Sequence, residues 1–131
     1  MLRQSDRPIE LAVNVFKVLN IEVGLFSPTA TGLKKSIFDA HNSLVRFFNT
    51  NNIHNFESQP RGVESKSLCE LTIVTPDALV VSQISFNRPD SKNGDPRFWI
   101  RGIRDHCTSG NLLCFFVLNE ILFLTNLSDE K

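Results

Sequence analysis

The chain has few of the features that mark a secreted, membrane-bound or metal-clustered protein. Its three cysteines, Cys69, Cys107 and Cys114, form no close pair. An odd count without a spacing pattern argues against a disulfide framework and a zinc ribbon, and leaves core or surface thiols. Long apolar runs are missing too. The longest, 112–118 and 121–124, fall far short of the ~20 residues a membrane helix needs. Residues 1–20 carry Arg3, Asp6, Arg7, Glu10 and Lys17 without an unbroken apolar stretch. No secretory signal is expected, and the expected compartment is the cytoplasm. Net charge is zero, with 14 basic residues against 14 acidic ones. That disfavours a nonspecific nucleic-acid binder, whose surface is usually basic throughout. It leaves room for a binder whose charge is focused on one edge.

Catalytic signatures are equally scarce. The chain has no Gly-x-Ser-x-Gly, no His-Glu-x-x-His and no phosphate-binding Gly-x-x-x-x-Gly-Lys. His41, His54 and His106 are widely spread. Only Cys107 is near one of them, and adjacent residues cannot easily hold one ion together, so no resident metal is expected. No internal repeat or low-complexity linker divides the sequence, so residues 1–131 are read as a single domain.

What remains is an ordinary globular composition, 41% hydrophobic and 21% charged over 131 residues, enough for one real core. Asp6 and Pro8 open an expected first helix, with Ile9, Val13, Phe16 and Leu19 at helical spacing. Alternation predicts a strand at 21–26, followed by a loop of small hydroxyl-bearing residues at 27–32. A second helix is expected over 33–49 on the stripe Leu33, Ile37, Ala40, Leu44 and Phe47/Phe48, ended by the polar cluster 49–52. Residues 53–67 are irregular. Cys69, Leu71 and Ile73 alternate with Glu70 and Thr72, and 75–78 reads as a turn into a strand at 79–86, which together predict a hairpin. A polar arm covers 87–97, and 98–100 resumes a strand. The run 112–118 is expected to be a central strand buried on both faces, with Phe115, Phe116 and Trp99 in the core. Asn119 and Glu120 turn it into a last strand, 121–127. A strand ending so near the last residue is expected of a module from, or fused to, something longer. Without regular βαβ alternation the fold class is α+β, two helices and mostly antiparallel strands, not a doubly wound nucleotide fold.

Three constellations carry chemistry. Asp39 upstream of Glu64-Ser65-Lys66 has the order used by magnesium-dependent DNA-cleaving sites, in which two carboxylates hold the ion and the lysine assists the attack. Such a Glu-x-Lys belongs on an apolar strand, whereas this one lies in an irregular stretch and Asp39 in an expected helix. Solvated surface charge is therefore the preferred reading, and the compact nuclease an alternative. The second constellation is 27–36, SPTATGLKKS, with Thr29, Thr31, Lys34 and Lys35 placed to meet phosphate oxygens at a helix start. The third is 88–99, RPDSKNGDPRFW. There Arg88, Lys92, Asn93, Asp95 and Arg97 can reach base edges, while Phe98 and Trp99 anchor the arm. From Arg88 to Arg104 the chain places five basic residues against two acidic ones.

The order of helix, strand, Thr-Gly-bearing loop, helix, and strands around a charged arm ending in an aromatic resembles the N-terminal effector-binding domain of EcoRII-type restriction endonucleases. That domain has the DNA-binding pseudobarrel fold, also found in plant transcription factors such as auxin response factors. The resemblance places one reading arm at 25–35, with Thr31-Gly32 its clearest residues, and a second at 92–99. The two would grip opposite walls of a DNA major groove. It implies an open pseudobarrel that recognises double-stranded DNA, makes no cleavage of its own, and works with a fused or associated nuclease domain. A protein-interaction module without nucleic acid is the remaining alternative.

Overall fold

In the computed structural model, residues 14–15, 19–90 and 94–128 are described. The expected first helix, including Ile9, Val13 and Phe16, lies largely outside the described residues. So do Lys92 and Asn93.

The chain builds one seven-stranded mixed sheet. In chain order the elements are β1 (Val23–Phe26), α1 (Ala30–Lys35), β2 (Phe38–Asp39), α2 (Asn42–Thr50), β3 (Ser67–Val74), β4 (Leu79–Asn87), β5 (Arg97–Ile100), β6 (Leu113–Leu118) and β7 (Ile121–Asn126). Across the sheet the order is β1-β6-β7-β3-β4-β5-β2. Only β7 and β3 run parallel, and every other neighbouring pair is antiparallel.

Sheet curvature is set by the phenylalanines. Laid flat, the two edge strands β1 and β2 would be separated by six strand spacings of ~4.8 Å, roughly 29 Å. Instead the rings of Phe26 on β1 and Phe38 on β2 lie 5.5 Å apart, and Phe98 on β5 reaches Phe115 on β6 at 5.9 Å. The sheet therefore curls on itself into an open pseudobarrel. Its seam lies between β1 and β2, and two helices accompany it. α2 seals the interior with Leu44, Phe47 and Phe48, all buried. Gly24 on β1 permits that approach, since a Cβ there would meet Leu44 at 2.9 Å and Phe47 at 3.0 Å.

The hairpin β3–β4 follows the expected alternation, and the β6–β7 turn uses Asn119 and Glu120 at positive φ, the hairpin geometry whose twist matches the strands. The expected helix over 33–49 is corrected to two short helices with β2 between them. Ser36 stops the first one. It adopts a left-handed conformation with φ 61°, and its N–H bonds to Gly32 O. Of the two helices, α1 begins in the stretch read as a loop and ends at Lys35, while α2 takes the later part of the expected helix. The strand expected to be central, β6, is instead second from the edge. It is buried at Leu113, Cys114 and Phe115 but only half-buried at Phe116. Phe116 lies on the outer face, stacked on Phe123 at 5.3 Å. Trp99 is half-buried as well, because Phe98 and Ile100 take the inward positions of β5.

The three cysteines are free thiols. Burial pushes Cys114 up to about 12, and Cys69 is raised by burial and by Glu70 beside it. Neither supplies a ready thiolate.

Between α2 and β3 a polar knot replaces regular structure. Gln59 is buried and donates from Nε2 to Ser65 O (3.0 Å) and Phe86 O (2.9 Å). Its Oε1 accepts from His54 Nε2 (2.8 Å), which fixes the His54 proton on that nitrogen. The His54 ring stacks on Phe86 at 4.4 Å. Burial lowers the His54 pKa below 6.5, partly opposed by the bond to Gln59. The unfolded chain then binds the proton more readily than the folded one. Stability should be whole above pH 6.5 and fall as pH drops below it, until the folded-state pKa is passed. Urea midpoints at pH 7 and pH 5 should show the fall in wild type. They should show a flatter dependence in His54→Asn, even though that variant is weaker throughout.

Candidate nucleic-acid interface

At the seam, the chain between β1 and β2 folds back as α1. Thr29 caps it, its hydroxyl accepting from Gly32 N at 2.9 Å. This corrects the expectation that Lys34 and Lys35 sit at a helix start. They occupy the last turn of α1, where the carbonyl end of the helix favours cations. Thr31 and Gly32 belong to the helix, not to a loop. Thr29, Thr31, Lys34 and Lys35 are exposed.

On β5 the outward positions are Arg97 and Trp99. Register sets Arg97 between Asn87 on β4 and Asp39 on β2. The Arg97 side chain is 16% exposed, and its Nε lies 3.3 Å from Asp39 Oδ1. That is ion-pair distance, but the alignment is too poor for a hydrogen bond, and Nε counts among the buried atoms without one. Asn87 Oδ1, next to it in register, is also buried and unpaired. One strand position further along, Arg104 lies 4.7 Å over the Trp99 ring and donates from Nη2 to Ser36 Oγ at 2.6 Å. That bond ties the end of α1 to the outer face of β5.

These elements enclose a cleft of about 420 Å³ lined by Ser27, Thr29, Thr31, Lys35, Asp39, His41 and Arg97 among others. His41 closes its far wall. Its Nε2 meets Leu25 O at 3.1 Å and its Nδ1 meets Ser43 Oγ at 2.7 Å. A carbonyl can only accept, so Nε2 carries the proton and the serine donates to Nδ1. The bond also occupies a carbonyl on the free edge of β1.

The second segment divides in two. Arg97 enters the cleft, whereas Arg88 is engaged inside the protein. It donates from Nε to Gly94 O (2.8 Å) and from Nη1 to Phe56 O (3.2 Å) and Gln59 O (3.3 Å). Gly94 is buried at φ 67°, and a Cβ there would collide with the Arg61 side chain. Asp95 stands exposed beside it. Arg88 and Gly94 therefore shape the base of the arm. The residue pattern carries no sign of this, because two of the carbonyls that hold Arg88, Phe56 O and Gln59 O, come from the irregular stretch before β3. The parts played by His41, Asp39 and Arg104 were equally hidden, since each depends on strand pairing between distant segments.

The nuclease constellation is not assembled. Asp39 lies on β2, not in a helix, facing Arg97, while Glu64 and Lys66 lie just before β3. Lys66 precedes Ser67, whose partner is Phe86 on β4. Three strand spacings, roughly 14 Å along the sheet, separate it from the β2 position of Asp39. Among the described residues no group of three or more His, Cys, Asp or Glu could hold a metal ion. Duplex DNA incubated with the protein and magnesium should stay intact on a gel. Cleavage that disappears in Lys66→Ala would reinstate the nuclease reading.

Among the described residues no helix is long and apolar enough to cross a membrane. Comparison of the chain with known families, with curated proteins and with solved structures gives no match.

Proposed function

We propose that the chain is a sequence-specific reader of double-stranded DNA, working in the cytoplasm as the target- or effector-binding module of a restriction endonuclease whose cutting domain is fused or associated. One observation carries this reading. Thr29, Thr31 and Lys35 from the first polar segment share a single cleft with Arg97 from the second, although four strands stand between β1 and β5 in the strand order. The open pseudobarrel and the resemblance to the effector-binding domain of EcoRII-type enzymes support it. So does the chemistry of the lining. Exposed lysines meet phosphates without regard to sequence. An arginine suits guanine, and a neighbouring carboxylate can accept from the amino group of cytosine. With zero net charge, general attraction to DNA is weak and the binding must come from this one face.

The test is selection of duplexes from a randomised pool on the immobilised chain. Enrichment of one short motif supports the reading. Retention of no duplex at low salt overturns it in favour of a protein-interaction module.

A further inference from the structure

A second cavity, of about 600 Å³, lies away from the cleft. It opens where β3 and β7 end and β6 begins, beside the short 3-10 turn Ile103–Asp105. Its volume is typical of small-molecule sites, roughly 300–1,000 Å³. Its floor is the barrel interior: Ile73, Ile103, Leu113 and Leu124, all buried.

Around this floor the polar groups fall into two sets. Thr75, Thr125 and Asn126 are internally engaged. Thr75 Oγ1 accepts from Ala78 N at 2.9 Å, Thr125 Oγ1 donates to Val74 O at 3.5 Å, and Asn126 Nδ2 donates to His106 O and Asn111 Oδ1, both at 3.0 Å. The side chains of Asp77, Asp105 and His106 have no partner among the described residues. Among the described residues no lysine or arginine lines the cavity, and Arg104, next to Asp105 in the chain, is held away by Ser36 and Trp99. A mouth carrying one sign of charge over low-dielectric walls concentrates its field inward.

We propose that this cavity binds a small organic cation, an amine with an apolar body. The hydrocarbon part lies against Ile73, Ile103, Leu113 and Leu124, and the ammonium group lies between Asp77 and Asp105. The site does not depend on the DNA reading.

Methyl spectra of the wild-type chain, titrated with phenethylammonium and separately with 3-phenylpropanoate, test it. The two probes are of similar size and opposite charge. Phenethylammonium should give saturable shifts at the methyls of Ile73, Ile103, Leu113 and Leu124, and bind at least about tenfold more tightly than the anion, a difference of ~1.4 kcal/mol. The double substitution Asp77→Asn, Asp105→Asn alters exposed side chains without internal partners, so the fold should survive, and it should remove that preference. Absent shifts, equal binding of the two probes, or a preference that persists in the double variant would each overturn the proposal.

Discussion

Phe115→Ala is expected to destabilise the fold by about 3–5 kcal/mol, the range for removing a buried aromatic and leaving a cavity. Phe115 has no exposed surface and touches the whole enclosure: Phe26 on β1 at 5.3 Å, Phe48 on α2 at 5.1 Å and Phe98 on β5 at 5.9 Å. Those partners stand on elements that cannot close inward without breaking strand pairing, so little of the void should collapse. Small domains have ~5–15 kcal/mol in total, and the variant should sit near the edge of folding. Phe116→Ala is the internal control. It removes an equal side chain from the next position of the same strand, but one half-buried on the outer face. Its cost should be roughly 1–2 kcal/mol. Urea unfolding of both variants gives the comparison. Equal costs would mean that the curled sheet does not enclose Phe115.

That contrast between neighbouring phenylalanines shows where the sequence was legible. Alternation works where one face of a strand is apolar and the other polar. Cys69, Leu71 and Ile73 therefore announced β3, and the turn after it was marked by Pro76 and Asp77. In β6 both faces are apolar, so the run could not say which of Phe115 and Phe116 points inward. The stretch 33–49 failed for a related reason. Ile37, Ala40 and Leu44 recur at helical spacing, yet Ser36 in a left-handed turn converts the middle into strand, with Phe38 and Ala40 inward. The spacing fits either arrangement, and only the pairing of Phe38 with Phe98 decides between them.

For the site, composition marked Thr29, Thr31, Lys35 and Arg97 because small hydroxyl and cationic residues cluster there. It could not distinguish Arg97 from Arg88. Both are arginines on the same polar arm, and what separates them is the set of carbonyls around Arg88. Asp39 was legible as a carboxylate but not as the neighbour of Arg97, since β2 is two residues long and meets β5 only through the fold.

Arg97→Ala and Lys35→Ala should fail in different ways if the cleft reads DNA. Arg97 is largely buried and its Nε is held near Asp39, so the guanidinium enters an encounter already oriented. That suits recognition of one base and is wasteful for a phosphate, which any flexible cation can meet. Its loss should cost about 1–3 kcal/mol on the preferred duplex and far less on scrambled sequence. Lys35 is exposed at the end of α1. Its loss should weaken both duplexes alike and flatten the dependence of log affinity on log salt by ~0.9. Asp39→Asn separates orientation from charge. Removing a carboxylate from the face should strengthen binding to scrambled DNA, while a less constrained Arg97 should narrow the gap between preferred and scrambled duplexes. Titrations of the three variants on both duplexes at two salt concentrations give all of these readouts. A uniform loss from Arg97→Ala, with the discrimination between duplexes intact, would reduce Arg97 to a phosphate contact and move base reading to another part of the face.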